Sequence, residues 1–376
     1  MTKKVLFIII VGILIRLALM ITTIHPDIRG HNLGAYLISQ KGEILTFYDH
    51  IRSLPRSHLL VNLYGDGLFI YPPLAYLWLA GFMKILGGLY PWETFNVLIS
   101  DIGRVGLSLE TMKLLFLLKV PYLITELLAF TWFYRKIDES KKTIFSLLWW
   151  GNIPVMHSAY FMGQFDLMIG LLVGGAAIIA TGLGKFVPAI LVGIAAGFKP
   201  FPLFLLPMLG TGFKEKLISI IVGLVTYGLI ISPYLGSVGF RHYALLASQT
   251  DKLDYAKIFV AGSQYLSLFW VGLGLLYWWN WYKPHHLSVW GWFTSVLLLF
   301  YSVTHWHPQW FTWISILLII SLITKSKTRL PIFILFCVST LIILSFYIFI
   351  PDNVVSMARA MLAATSIITV LKMREA

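Results

Sequence analysis

Long apolar runs alternate with short polar or basic segments along the whole chain. The twelve runs lie at 5–24, 69–89, 112–133, 143–161, 164–183, 186–209, 217–235, 262–281, 287–303, 310–324, 330–350 and 354–371. A helix of about 20 residues crosses the apolar core of a bilayer, where the backbone must satisfy its own hydrogen bonds. The pattern therefore predicts an all-α polytopic transmembrane bundle of about 11–13 helices.

Composition supports a membrane protein. Hydrophobic residues make up 58% of the 376 positions and charged residues 12%, and the mean hydropathy is +0.81. A soluble fold of this length cannot bury so much apolar surface. The net charge of +13 comes from 29 basic and 16 acidic residues, but the basic residues cluster between the apolar runs, where they set topology. We therefore expect an integral membrane protein without a nucleic-acid partner.

The basic clusters are assigned to the cytoplasm by the positive-inside tendency. Most runs then cross the membrane once. The run 186–209 must cross an even number of times, because the chain is assigned to the cytoplasm both before and after it. We therefore predict two half-helices that meet at Lys199-Pro200. For 69–133, either 69–89 lies partly in the interface or 94–109 crosses too. The opposite, extracytoplasmic face carries the loop 25–68, Gly163–Asp166, Lys199, the loop 236–261 and His305–Gln309.

The first extracytoplasmic loop, 25–68, is too long for a connector and too apolar for disorder, so we expect short amphipathic helices on the membrane surface. The loop 236–261 is a candidate lid.

Several polar residues on the extracytoplasmic face could carry chemistry. Asp27, just after the first run, is either a solvated interfacial carboxylate or a general base. Asp166 is either a helix N-cap or part of a site. Lys199 either extends to the surface or binds an anion. His305 and His307 form only a weak metal signal, because no carboxylate is near them in sequence.

Arg16 and Glu126 are two charges well inside predicted helices, at depths that agree to about one turn. Because an unpaired buried charge is costly, we expect them to pair across the bundle.

Four features together resemble the GT-C superfamily of membrane glycosyltransferases that use polyprenyl-phosphate sugars. They are an acidic residue after the first helix, Tyr71-Pro72-Pro73-Leu74, Gly163-Gln164-Phe165-Asp166, and Gly197-Phe198-Lys199-Pro200 followed by Pro207. The run 144–210 is similar to dolichyl-phosphate-glucose-dependent glucosyltransferases and bacterial mannosyltransferase-like proteins. The segment His305–Gln309 is similar to a His-Pro-Gln segment of the latter proteins.

The resemblance implies a GT-C fold that forms one domain over 1–376, with a catalytic module in 1–235 and more variable helices in 236–376. It implies that Asp27 is the catalytic base, that Asp166 lines the site, and that Lys199 holds the donor phosphate. The sequence departs from the Asp-X-Asp of the GPI mannosyltransferases, which leaves Asp49 and Asp66 as rival bases.

Such a reaction needs a base for an acceptor hydroxyl and a cationic pocket for one departing phosphate. Lys199, Arg241, His305 or His307 could stabilise that phosphate, so no cofactor is expected and a divalent metal is the less favoured alternative. Tyr71, Gln164 and Gln309 are candidate substrate-lining residues. Attack opposite the phosphate would invert the anomeric carbon.

These observations favour a hexosyltransferase, with mannose as the preferred sugar, that acts on a lipid-linked, glycan or protein acceptor. The expected location is a bacterial plasma membrane, in contact with membrane lipids and with the site extracytoplasmic. A transporter or flippase for a lipid-linked saccharide is the alternative, although no clear internal repeat supports one. A non-catalytic assembly subunit is the third hypothesis.

Overall fold

The computed structural model describes residues 2–65, 71–180, 186–245 and 248–373. Within these ranges the chain is mostly helical, with eighteen α-helical segments of very different lengths. They are α1 (Lys3–Thr22), α2 (Ile28–Lys41), α3 (Phe47–Ser53), α4 (Leu59–Tyr64), α5 (Leu74–Leu86), α6 (Trp92–Ser100), α7 (Leu109–Lys136), α8 (Lys142–Trp150), α9 (Ile153–Val155), α10 (Asp166–Ile179), α11 (Phe186–Ala196), α12 (Phe213–Ile231), α13 (Val238–Phe240), α14 (Leu268–Tyr282), α15 (Val289–Val303), α16 (Thr312–Thr324), α17 (Arg329–Leu344) and α18 (Asp352–Lys372).

Five helical stretches of the described chain are long and apolar enough to cross a membrane. They are Lys3–Thr22, Leu109–Lys136, Phe213–Tyr234, Ser326–Leu344 and Asp352–Lys372. Shorter apolar helices, of 10–17 residues, pack among them. The predicted helical class is thus confirmed, and these helices fit the predicted membrane protein by their length and composition.

A small β-hairpin departs from the all-α prediction. Strands β1 (Lys257–Ala261) and β2 (Gln264–Ser267) pair antiparallel, and Gly262 in the turn has φ 55°. The helix predicted over 262–281 therefore begins only at Leu268. The segment is rich in β-branched and aromatic residues, which favour strands, and hydropathy alone does not distinguish a strand from a helix.

The run 143–161 is not one continuous helix. Helix α8 ends at Trp150, with Gly151 as its C-cap, and the Asn152 side chain caps the next turn by accepting from the Val155 amide at 3.3 Å. The chain then forms a π-helical segment, Met156–Phe161. Such wide turns interrupt the regular ladder and are often found at functional sites.

The predicted break near Lys199 is present. Helix α11 ends at Ala196, and a 3₁₀ helix, Phe201–Met208, follows Pro200. In the region 69–133, α5 and α6 have 13 and 9 residues. At 1.5 Å per residue α6 rises only about 14 Å, so it does not cross a bilayer as 94–109 was considered to do.

The first loop folds into α2, α3 and α4, as short helices were predicted there. Most residues of α2 are buried, and it packs along α5, where Gly34 lies against the Tyr76 ring. Helix α2 ends at Gly42, whose φ of 74° is the left-handed conformation that terminates many helices. Helix α2 is thus part of the packed bundle and does not lie free on a surface.

Arg16 and Glu126 pair as predicted. Arg16 Nε and Nη2 each donate to one carboxylate oxygen of Glu126 at 2.8 Å, and both side chains are buried. Arg16 also donates to the carbonyl of Trp150 at 2.9 Å, where α8 breaks, and the Tyr160 hydroxyl donates to Glu126. The pair therefore joins α1 to α7. Arg16 also provides a hydrogen-bond donor for a carbonyl group at the C-terminal end of α8.

Tyr160→Phe should lower the free energy of unfolding by about 1.5–3 kcal/mol, because it removes a hydrogen bond to a buried charged group. Thermal unfolding of the purified protein in detergent measures the change. Tyr36→Phe is the matched control, since the hydroxyl of Tyr36 makes no hydrogen bond among the described residues. Equal unfolding midpoints for Tyr160→Phe and the parent would show that the hydroxyl does not support the pair.

Candidate active site

Segments far apart in sequence converge on one cavity of about 470 Å³. All come from the face predicted to be extracytoplasmic, including the turn that follows α17. The lining residues are His25, Pro26, Asp27, Gly30, His31, Tyr64, Tyr71, His157, Met162, Gln164, His307, Pro308, Gln309, Trp310, Phe346 and Tyr347. The cavity therefore contains Asp27 and three candidate substrate-lining residues, Tyr71, Gln164 and Gln309.

The carboxylate of Asp27 is held at the cavity wall by Gln164, and His25, whose Nδ1 accepts from the Asp27 amide, lies beside it. Gln164 Nε2 donates to Asp27 Oδ2 at 2.8 Å, and His25 Nδ1 lies 3.7 Å from Asp27 Oδ1. The Asp27 side chain remains about one third exposed, at 32%. A carboxylate that is fixed in position, accessible and not neutralised by a cation is suited to accept a proton.

The turn at Gly163 places Gln164 beside Asp27. Gly163 has φ 74°, and its carbonyl oxygen accepts from His31 Nε2 and from the Tyr122 hydroxyl, both at 2.8 Å. A side chain there would bring its Cβ within 2.9 Å of Ile28 Cδ1. The glycine is therefore required both by the backbone conformation and by the close approach of α2.

Lys199 and Asp166 form a buried ion pair behind the cavity wall. Lys199 Nζ donates to Asp166 Oδ1 at 2.5 Å, and Trp313 Nε1 donates to the same oxygen at 2.7 Å. Asp166 is fully buried, Lys199 is 7% exposed, and neither side chain lines the cavity. The carboxylate thus compensates the ammonium charge before any ligand arrives.

Aromatic rings enclose the ammonium of Lys199. Its Nζ lies 5.0–5.3 Å from four ring centroids, those of Tyr71, Phe165, Trp310 and Trp313. Tyr71 and Trp310 are also part of the cavity lining, so the ammonium lies directly behind rings that face the cavity.

Lys252, in the 3₁₀ helix Ser248–Asp254 of the predicted lid, does not line the cavity itself but contacts His307, which does. Its Nζ lies 2.8 Å from His307 Nε2 and 5.3 Å from the Trp310 ring centroid, and it makes no ion pair with any carboxylate of the described chain. Burial, and then the charge of Lys199, lower the pKa of Lys252 to about 8. The ammonium is therefore still largely charged at neutral pH.

The histidines around the cavity are neutral at pH 7. Burial is the main cause in each case: it lowers the pKa of His25, and it lowers the pKa values of His31 and His307 to about 4. His307 therefore accepts a hydrogen bond from Lys252 and carries no charge of its own. Its predicted contact with the departing phosphate would then be a hydrogen bond from a neutral imidazole.

The remaining candidates lie outside the cavity lining. His305 packs its ring against Tyr255 and His307. Arg241 is exposed, and its Nη1 donates to the carbonyls of Leu235 and Gly236 at 2.6 and 3.1 Å. Asp49 Oδ1 accepts from the Gly239 amide at 2.7 Å, which ties α3 to α13. Asp66 lies outside the described residues.

The sequence analysis did not single out four residues that the fold brings to this region. They are His25, His157 and Tyr347 of the cavity, and Lys119 in α7. His157 Nε2 and the Tyr347 hydroxyl lie 2.7 Å apart, and Lys119 Nζ donates to the Thr23 carbonyl at 2.7 Å. His157 and Lys119 had a signal, a polar residue within an apolar run, whereas Tyr347 had none.

In the described ranges, no group of three or more histidine, cysteine or acidic residues could hold a metal ion. Comparisons of the chain with protein-family models, with curated proteins and with solved structures found no match.

Proposed function

We propose that this protein is a membrane glycosyltransferase that moves a hexose from a polyprenyl-phosphate donor to an acceptor hydroxyl on the extracytoplasmic side. The carrying observation is the accessible carboxylate of Asp27, held by Gln164 at the wall of a cavity. The motif resemblance to GT-C enzymes supports the donor class, and the long apolar helices suit a substrate with a lipid tail.

In this reaction Asp27 accepts the proton of the acceptor hydroxyl as its oxygen bonds to the anomeric carbon of the sugar. The bond between that carbon and the phosphate oxygen breaks, and the polyprenyl phosphate leaves with the electron pair. Attack from the opposite face inverts the anomeric carbon. The Lys252 ammonium stabilises the charge that develops on the leaving phosphate.

One feature favours an enzyme over a transporter. The cavity lining comes from one end of the bundle, and Lys199–Asp166 with its aromatic rings and Arg16–Glu126 with Tyr160 are buried among the helices. A flippase would need a path for a polar head group past these buried ion pairs and rings. A closely packed interior makes such a path costly.

The test is transfer of radiolabelled hexose from short-chain polyprenyl-phosphate donors by the purified protein, with membrane extracts as acceptor. Mannosyl, glucosyl and galactosyl donors are compared, each with and without EDTA. The proposal expects transfer from at least one donor. Absence of transfer from every donor, together with movement of labelled donor across reconstituted vesicles, would instead identify a flippase.

Donor binding should weaken as the pH rises through about 8, because the Lys252 ammonium then loses its proton. Between pH 7 and pH 9 the charged fraction falls roughly tenfold, and the KM for the donor should rise by a similar factor. Lys252→Gln should have a high KM that does not change over this range. Lys283→Gln, an exposed lysine outside the cavity lining, is the control and should behave as the parent. A pH-independent KM in the parent would exclude Lys252 as the phosphate ligand.

A further inference from the structure

His157 and Tyr347 form a hydrogen-bonded pair in the wall of the candidate active site, and the proposed reaction does not yet use it. His157 Nε2 and the Tyr347 hydroxyl lie 2.7 Å apart, and both residues line the cavity. The pair joins the π-helical segment Met156–Phe161 to the turn after α17, 190 positions later in the chain. The fold thus brings two polar groups without an assigned role to the space beside Asp27.

The imidazole is buried, whereas the tyrosine faces the cavity. His157 is 8% exposed, and its ring stacks on Phe161 with the centroids 6.0 Å apart. Tyr347 is 46% exposed, its amide donates to the Leu344 carbonyl at 2.9 Å, and its ring meets the edge of Phe161 at 5.0 Å. A buried side chain therefore fixes the hydroxyl of a partly exposed one.

The surroundings of the imidazole set the direction of this hydrogen bond. The other ring nitrogen, Nδ1, is buried and has no hydrogen-bond partner among the described residues. A proton on Nδ1 would be a buried donor without an acceptor, which is rarer in proteins than a free acceptor. The proton therefore belongs on Nε2, which donates to the Tyr347 oxygen. The O–H of Tyr347 is then free to donate to a ligand.

The Tyr347 hydroxyl keeps its proton at neutral pH. Burial, and then the negative charge of Asp27, raise the pKa of Tyr347 to about 12. Asp27 lines the same cavity, and its carboxylate is the base of the proposed reaction. A hydrogen-bond donor and a proton acceptor thus face one space.

These two groups suit a ligand with two neighbouring hydroxyl groups. In the proposed reaction Asp27 takes the proton of the reacting hydroxyl, so side chains beside Asp27 contact the acceptor. A second hydroxyl of the acceptor can accept from the Tyr347 O–H. The exposed rings of Phe346 and Tyr347 add apolar walls, and the electron-rich faces of such rings pack well against the C–H groups of a sugar. A serine or threonine side chain offers no second hydroxyl.

We propose that Tyr347, positioned by His157, binds a hydroxyl next to the reacting one, and that the acceptor is therefore a carbohydrate or similar polyol and not a protein side chain. This inference rests on the proposed glycosyl transfer, because it assigns the acceptor of that reaction. A binding measurement without donor keeps the two proposals separable.

The first test measures transfer by the purified full-length protein, in a detergent without sugar groups, to octyl mannoside, to octanol and to a serine-containing peptide. Octyl mannoside should be the best of the three acceptors. Tyr347→Phe should raise the KM for octyl mannoside roughly threefold to tenfold, the equivalent of one net hydrogen bond between uncharged groups, and leave the donor KM unchanged. Tyr282→Phe, an exposed tyrosine at the end of α14, is the control and should behave as the parent.

Two substitutions test the positioning role of His157. His157→Gln keeps an N–H in the place of Nε2, so its KM for octyl mannoside should stay close to that of the parent. His157→Leu removes this donor and should raise the same KM as Tyr347→Phe does. A contact that only stabilises the fold would instead lower Tm and leave both KM values of the folded enzyme unchanged.

The second test measures binding of octyl mannoside by isothermal titration calorimetry, without donor. Tyr347→Phe should weaken this binding by the same factor as it raises the KM. If no donor gives transfer to membrane extracts but binding follows this pattern, the proposed reaction fails and the polyol site stands. An unchanged affinity in Tyr347→Phe, or transfer to the serine peptide as efficient as transfer to octyl mannoside, would overturn the inference.

Discussion

Asp27→Asn should lower kcat for hexose transfer by roughly 10²–10⁴-fold, the usual contribution of a general base. The substitution keeps the shape of the side chain, and its amide oxygen can still accept from Gln164 Nε2, so the fold and the donor KM should change little. Single-turnover transfer from a labelled polyprenyl-phosphate hexose measures the chemical step separately from product release.

The matched control is Asp49→Asn, which changes the rival carboxylate in the same way. Asp49 lies outside the cavity lining and binds the Gly239 amide, so this variant should retain the parent's kcat. If Asp49→Asn lost transfer while Asp27→Asn kept it, the assignment of the base would have to be reversed. If both kept it, the cavity would not be a transferase site of this kind.

Lys199→Met should destabilise the protein by about 3–5 kcal/mol, because it leaves the carboxylate of Asp166 buried without its cation. Asp166→Leu should have a similar effect for the opposite reason. The double variant should lose less stability than the two single variants lose together, since it leaves neither charge buried without its partner. Unfolding by heat or denaturant in detergent gives the three values.

This experiment separates two roles for Lys199. A structural ion pair predicts strong coupling between Lys199 and Asp166 in stability, whereas a ligand of the donor phosphate predicts a raised KM in a stable variant. Lys252→Met is the comparison: Lys252 pairs with no described carboxylate, so its removal should affect donor KM and leave stability nearly unchanged. A stable Lys199→Met variant with a high donor KM would restore the role that the resemblance implied.

Much of the architecture was determined by the sequence because hydropathy and proline act locally. A long apolar run in a bilayer satisfies its backbone hydrogen bonds within itself as a helix, and the Lys199-Pro200 break follows from the geometry of proline. The Arg16–Glu126 pair was also predictable, because two opposite charges deep in helices have few other ways to be satisfied. The hairpin at β1 and β2 was not predicted, since a short apolar segment does not reveal its secondary structure.

The electrostatics of the site was decided by tertiary packing. The sequence places Asp166, Lys199 and Lys252 on one face, but it does not show which of the two lysines pairs with a carboxylate. Packing pairs Lys199 with Asp166, 33 positions away, and places Lys252 beside His307, 55 positions away. Charge compensation and desolvation depend on the atoms that surround a group in space, and hydropathy along the chain does not record them. The sequence therefore located the candidate site, and the fold distinguished its accessible base from its buried ion pair.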